Sequence, residues 1–216
     1  DIVGFTTLSE QMEAEDLSSF LNFYLTNVCE IALKYGGTID KFIGDSVMIF
    51  FGDPDTKGAK EDAIACCQMA MEMLTFLENN QQHFQDMYNF PEKLEIRVGI
   101  HNGLCNVGNF GSAQRLDYTA IGRAVNVAAR LEQAAPKNSI LVSSAVRNLI
   151  KNNFETSSPI EVKAKGIDKP IASYVLTRHD SLNVKVIKEM DGLKLEYDPN
   201  KINKSKLLQI IGELES

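Results

Sequence analysis

Residues 38–52 read as strand, tight turn, strand, and a hairpin so placed dictates what must pack beside it. Thr38 to Ile43 is the first run, Gly44-Asp45 the turn, and Ser46 to Phe51 the second run, apolar and bounded by Gly52. A carboxylate at a hairpin tip is held rigidly and faces solvent or a ligand. Taken alone, Asp45 is ordinary turn chemistry. A second acid changes the balance. Asp1 stands in Asp1-Ile2-Val3-Gly4-Phe5-Thr6, a short apolar strand running into a glycine-containing loop. Two carboxylates on adjacent strand ends can hold divalent metal over a phosphate.

The rest of the chain builds around that pair. Leu17, Phe20, Leu21, Tyr24, Leu25, Val28, Ile31 and Ala32 predict a helix from Ala14 to Lys34, closed by Gly36-Gly37. A second helix is predicted over 61–77, with polar residues 79–89 as no more than its continuation. Leu94, Ile96, Val98 and Ile100 alternate with Glu95, Arg97 and Gly99 as a strand. His101-Asn102-Gly103 reads as an Asn-Gly hairpin turn, with Leu104 to Phe110 returning as the partner strand. Further strands are predicted over 116–121, 139–142, 160–163 and 171–176. Helices are predicted over 123–134 and 144–151, the latter capped by Ser143 or Ser144. Hairpins mixed with crossing helices indicate an α/β sandwich with a partly antiparallel sheet and helices on one or both faces.

The character changes near residue 180. Val184 and Val186, then Leu193, Leu195 and Tyr197, alternate about Asp191-Gly192 as a second hairpin, and 204–214 suits a short amphipathic helix. The expected division is therefore a catalytic domain over 1–179 and a small extension over 180–216, for packing or partner contact.

Charge bounds the function. With net charge −7 and pI about 5.1, the chain lacks the basic face that nucleic-acid binding wants. Cys29, Cys66, Cys67 and Cys105 form no Cys-x-x-Cys pair and read as buried free thiols of a reducing compartment, the cytoplasm. No apolar run reaches membrane-spanning length, so no membrane contact is expected within this stretch. The sequence opens without Met, in mid-strand, and reads as an N-terminally truncated fragment, so any tethering domain would lie outside it.

The helix over 123–134 carries the most informative side chains. Asn126 and Arg130 are four apart and project one turn from each other among Ala124, Val125, Val127, Ala128, Ala129 and Leu131. The arginine is either a surface ion pair, with Glu132 or a neighbouring strand, or one half of an amide–guanidinium pair facing phosphoryl charge. Spacing alone does not choose. Thr119, at a strand end, is either a β-branched residue on a pleated surface or a group that reads a base edge.

Five motifs together go further. Asp1-Ile2-Val3-Gly4-Phe5-Thr6, Lys41-Phe42-Ile43-Gly44-Asp45, Arg97-Val98-Gly99-Ile100-His101-Asn102-Gly103, Tyr118-Thr119-Ala120-Ile121-Gly122 and Val125-Asn126-Val127-Ala128-Ala129-Arg130 occur in the order found in class III nucleotidyl cyclases. Over residues 1–177 the chain resembles the catalytic domain of a bacterial-type adenylate cyclase. The resemblance implies a ferredoxin-like palm core with a mixed, largely antiparallel sheet and packed helices. It also implies a head-to-tail homodimer with two composite active sites at the interface.

Residue by residue, the resemblance implies that Asp1, Asp45 and the carbonyl of Ile2 bind two divalent metal ions, Mg2+ or Mn2+. Lys41 and Thr119 match the base-recognition pair, and Asn126 and Arg130 the transition-state pair. Lys165 resembles the lysine on the distal phosphates, and Gly4, Phe5 and Thr6 would offer backbone N–H groups to the triphosphate. The implied reaction turns ATP into 3′,5′-cyclic AMP and pyrophosphate. A given site would take Asp1 and Asp45 from one subunit and the remaining side chains from the other. Guanylate cyclases resemble the same domain but usually carry an acid and a small residue at the base pair, so Lys41 and Thr119 favour ATP over GTP. A catalytically silent nucleotide-binding dimerisation module is the alternative from another class. Arg123 stands where related sequences often carry an acid, and many adenylate cyclases have Asp at the position of Thr119. A diguanylate cyclase lacks its Gly-Gly-Asp/Glu-Glu-Phe turn here, and a P-loop NTPase its Gly-x-x-x-x-Gly-Lys-Ser/Thr run.

Overall fold

A computed structural model of the protein describes residues 1–90, 92–162 and 170–177 in full, and the backbone of residues 186–190 and 193–197. Two units divide it, Asp1–Arg178 and His179–Ser216.

The first unit is organised on a mixed sheet. Strand β3 (Arg97–Ile100) runs parallel to β6 (Ser139–Ser143), with Arg97 opposite Ser139 and Ile100 opposite Val142. On its other side β6 pairs antiparallel with β9 (Ile171–Thr177), which also takes the short strands β7 (Glu155–Thr156) and β8 (Ile160–Val162) antiparallel. The period-two rule then assigns the faces. Ile140 and Val142 point into a core with α3 (Ala59–Tyr88) and α5 (Ser144–Ile150), while Leu141 packs with Val127 and Leu131 of α4 (Arg123–Ala134). Helices therefore cover both faces. The Ser143 hydroxyl caps α5, accepting the Val146 N–H as expected of a serine at that position.

The largest core lies between α3 and α2 (Ala14–Lys34). Phe20, Tyr24, Val28, Ile31 and Ala32 of α2 are buried against Met69, Met73, Leu77 and Phe84 of α3. Helix α3 runs unbroken for 30 residues, well past the predicted end at 77. The cause is a ring cluster. Phe84 is fully buried and sits edge-on to Phe20 at 5.9 Å, and Tyr88 and Phe90 reach the same ring at 5.6 and 4.9 Å. Phe84 and Tyr88, one turn apart, keep the helix docked, and Gln81 ties it further by accepting the Leu94 N–H at 2.9 Å and donating to the Leu94 carbonyl at 2.7 Å.

Three expectations are corrected. A short helix, α1 (Phe5–Gln11), stands where a loop was predicted after Gly4, and Phe5, Leu8 and Met12 rest on the α2–α3 core. Their spacing of three and four was the overlooked signal. The Asn-Gly turn does not form a hairpin, because β3 takes β6 as its partner. β4 (Asn106–Ser112) pairs instead with β5 (Arg115–Ile121). β4 carries Asn106, Gly108, Asn109 and Gly111 and has no apolar face with which to cover β3, and Leu104 is 98% exposed. Cys105 is exposed, not buried, and Cys29 and Cys66 are half-buried.

The opening hairpin forms as predicted, from β1 (Thr38–Ile43) and β2 (Ser46–Phe50), with Ile43 opposite Ser46 and Gly44 at φ +66° in the turn. Its register shifts between Ile39 and Lys41, so Asp40 is the extra residue of a β-bulge. At Gly99 of β3 a Cβ would lie 2.3 Å from the Ala128 carbonyl oxygen and 2.2 Å from the Glu132 nitrogen, so β3 and α4 meet backbone to backbone.

In the second unit β10 (Val186–Met190) pairs antiparallel with β11 (Leu193–Tyr197), Met190 opposite Leu193. The predicted helix over 204–214 lies outside the described residues. Among the described residues no helix is long and apolar enough to cross a membrane.

Candidate active site

Two corners of the first unit gather the polar groups. The first forms where residues 1–3 lie antiparallel to 95–97. Ile2 bridges Ile96, the Val3 N–H donates to the Glu95 carbonyl at 2.9 Å, and the Arg97 N–H donates to the Asp1 carbonyl at 2.9 Å. Ile2, 1% exposed, anchors this edge in the core. Its own N–H donates to Asp45 Oδ2 at 2.8 Å, which ties the hairpin tip to the same edge. Asp45 is almost buried, and its charge, after burial itself, helps push the Tyr24 phenol above the usual tyrosine range.

Asp1 is held from two sides. Ser46 donates its hydroxyl to Oδ1 at 2.8 Å, and the Arg97 guanidinium donates to Oδ2 at 2.7 Å. Arg97 also faces Glu132, Nε to Oε1 at 3.5 Å. Glu132 is thus turned to β3 and not to Arg130. The structure brings Asp1, Ile2 and Asp45 together, and adds Ser46 and Arg97. Arg97 opens one of the five motifs and alternates in a strand, but neither feature pointed to Asp1.

The second corner lies at the Asp40 bulge. The Asp40 side chain is fully buried. Thr119 Oγ1 lies 2.8 and 2.9 Å from its two oxygens, the Ala120 N–H donates to Oδ2 at 2.7 Å, and Lys41 Nζ stands 3.3 Å from Oδ1. Lys41 and Thr119, 78 positions apart in sequence, are thereby brought to one carboxylate. Asp40 was missed. Its signal was an acid beside Lys41 in a strand whose partner register cannot be read without the bulge.

The other predicted residues are placed as follows. Asn126 is exposed on α4, and Arg130 donates to Gln133 Oε1 at 2.8 Å; among the described residues it makes no ion pair. Gly4 is the left-handed N-cap of α1 and Phe5 and Thr6 lie in its first turn, whose N–H groups have no carbonyl within the helix to bond. Lys165 lies outside the described residues. Arg123 lines a cleft of about 330 Å³ with His101, Gly103, Leu104, Ala124, Val127 and Ile171. His101 Nδ1 is 2.9 Å from Ser143 Oγ, and burial, with the Arg123 charge second, holds its imidazole below the usual range.

Only hard oxygen donors meet at the first corner, the set that suits Mg2+ or Mn2+. It supplies two carboxylates, and no group of three or more His, Cys, Asp or Glu that could hold a metal occurs among the described residues. A site of that kind is completed by the phosphates of a bound nucleotide.

A mixed-sheet palm with these corners is a nucleotidyl cyclase domain: the chain belongs to the family described as the adenylate and guanylate cyclase catalytic domain, whose model matches residues 1–178. Divalent-metal-dependent catalysis, ATP or GTP as substrate and dimeric assembly are general features of that family. Among solved structures, the chain is similar to the adenylyl cyclase CyaB from P. aeruginosa at 46% identity and TM-score 0.81, over 84% of this chain and 92% of that one. It is similar to the guanylyl cyclase Cya2 at 28% identity and TM-score 0.77, over 84% and 91%. An adenylate cyclase of Anabaena cylindrica is 36% identical over 81% of this chain and 35% of its own length. Adenylate cyclase 1 of Rhizobium meliloti is 36% identical over 77% and 25%. The chain thus spans about a third or less of these two curated relatives.

Proposed function

We infer that this domain is an adenylate cyclase, forming 3′,5′-cyclic AMP and pyrophosphate from ATP. The observation that carries the reading is the meeting of Lys41 and Thr119 on Asp40, which supplies a cationic donor and a hydroxyl side by side. The ammonium donates to a purine ring nitrogen and the threonine oxygen accepts from the 6-amino group. The similarity to adenylate cyclases supports the same choice.

Asp1, Asp45 and the Ile2 carbonyl would hold two divalent cations, Mg2+ or Mn2+, as the oxygen donor set suits. Such ions, when bound, acidify the ribose 3′-hydroxyl and draw charge from the phosphates. In the reaction the 3′-oxygen bonds to the α-phosphorus, the bond from that phosphorus to the bridging oxygen breaks, pyrophosphate leaves with the electron pair, and the 3′-proton passes to solvent. Ser46 and Arg97 orient Asp1, and the Ile2 N–H orients Asp45. Arg130 stabilises charge on the α-phosphate and Asn126 orients the ribose. Gly4, Phe5 and Thr6 present N–H groups to the phosphates and Lys165 neutralises the distal ones.

The site is composite. Asp1 and Asp45 come from one subunit of a homodimer, and Lys41, Thr119, Asn126, Arg130 and Lys165 from the other. Residues 180–216 form a separate extension, with residues 1–179 as the catalytic domain. The test is turnover of ATP and GTP with Mn2+ at varied protein concentration. Cyclic AMP formation whose specific activity rises with concentration is expected. Equal or greater turnover of GTP overturns the substrate, and nucleotide binding without pyrophosphate release overturns the enzyme.

A further inference from the structure

We propose that Asp40 is a specificity-determining positioning residue: by taking the hydrogen of the Thr119 hydroxyl, it leaves that oxygen able only to accept, and so selects a 6-amino purine over a 6-oxo purine. This rests on the reading of Lys41 and Thr119 as the base contacts.

A threonine hydroxyl is ambivalent. It carries one hydrogen and two lone pairs and rotates to suit its neighbour. Facing a base alone, it would accept from an adenine amine or donate to a guanine carbonyl, and would discriminate little. Asp40 removes the choice. The bulge at Asp40 turns its carboxylate inward, where it is fully buried and bonds to protein donors. The Ala120 N–H can only donate, and it occupies Oδ2 at 2.7 Å. Between Thr119 and a carboxylate flanked by an ammonium and this N–H, the hydrogen must come from the hydroxyl, at 2.8 Å to Oδ1. The competing acceptor, the Ala120 carbonyl, is 3.5 Å away. Thr119 is 4% exposed, so water scarcely competes for the hydroxyl. A 6-amino group then meets lone pairs and bonds, whereas a 6-oxo group meets lone pairs with its own.

The test separates the 6-amino contact from every other. ATP and purine riboside triphosphate share the ring-nitrogen acceptor and differ only in that amine. The ratio of their kcat/KM values, read on one preparation of the full chain, does not depend on the fraction folded. In the unsubstituted protein ATP is favoured by about tenfold, the worth of one such hydrogen bond. Thr119→Val brings the ratio near one; if it does not, the base-contact reading fails and this inference fails with it. Asp40→Asn keeps the size but offers a single acceptor. With that acceptor on the Ala120 N–H, the amide NH2 donates to Thr119, the hydroxyl turns its hydrogen outward, and the ratio falls to about one or below. Turnover of inosine triphosphate rises relative to ATP. If Thr119→Val collapses the ratio and Asp40→Asn leaves it unchanged, with both substrates slowed alike, Asp40 is only structural and the proposal is overturned while the base contacts stand. Asp40→Ala, which frees the hydroxyl without adding a donor, is the second variant and should lower the ratio too. Where a variant binds without turnover, the dissociation constants of the two nucleotides, by displacement of a fluorescent nucleotide, give the same ratio.

Discussion

Asp40 and Asp45 lie five residues apart on one hairpin and carry the same side chain, yet their surroundings separate their work. Asp40, pushed inward by a bulge, has its oxygens bonded by Thr119 and the Ala120 N–H with Lys41 beside them. Asp45, at the turn, gives one oxygen to the Ile2 N–H. A carboxylate surrounded by protein donors orients its neighbours. One with an oxygen left over can hold a cation. Position relative to a single extra residue in a strand, not residue type, decides which.

The sharpest way to break that contrast is at the tip. Asp45→Ala is expected to reduce cyclic AMP formation by more than the roughly 10²–10³-fold that loss of one transition-state donor costs. Arg130→Ala should cost about that 10²–10³-fold itself. Mixing the two inactive proteins should restore part of the activity through one intact composite site; an absence of recovery in a titration of one against the other counts against shared sites. Next in size is Arg97→Gln, which removes the charged partner of Asp1 and should weaken the apparent Mn2+ affinity by about 10–100-fold, seen as a shift in the metal dependence of the rate. Ser46→Ala removes a neutral donor from the same carboxylate and should move that midpoint by only about fivefold, in line with ~1 kcal/mol for one hydrogen bond. Equal effects from Arg97 and Ser46 would mean that Asp1 is placed by the strand and not by its partners.

The smallest effect concerns His101. Its imidazole is held below its usual value of 6.5 by burial, then by Arg123. The unfolded chain therefore binds the proton more readily, so stability is full above the unfolded value and falls as pH drops below it toward the folded value. His101→Gln should flatten that stretch of a melting-temperature profile. A profile unchanged by the substitution would show that His101 does not titrate differently on folding.

Much of this was legible in the chain. The helices 14–34 and 123–134 follow from apolar spacing, and the hairpin over 38–50 from Gly44-Asp45 between two apolar runs. What failed did so for local reasons. The Asn102-Gly103 turn signal was real as a dipeptide, but the polar, glycine-rich run after it had no face with which to cover β3, and β6 did. Tertiary burial overrode a turn propensity. Motifs in a fixed order singled out Asp1, Asp45, Lys41 and Thr119 as candidates, and the structure places the first two about Ile2 and the last two on Asp40. The contacts of Asp40 and Arg97 were not singled out, because they depend on a bulge and on an edge pairing 96 residues away in sequence.

The contact at Gly99 limits how far β3 and α4 can shift against each other. β3 carries Arg97 beside Asp1, and α4 carries Arg130 one turn from Asn126; at Gly99 the two elements touch backbone to backbone, with the Arg97–Glu132 pair beside the contact. Side-chain rotamers are what usually absorb a small displacement in a packed core, and at Gly99 itself none is available. The seam therefore sets the spacing between the strand that holds Asp1 and the helix that carries Arg130.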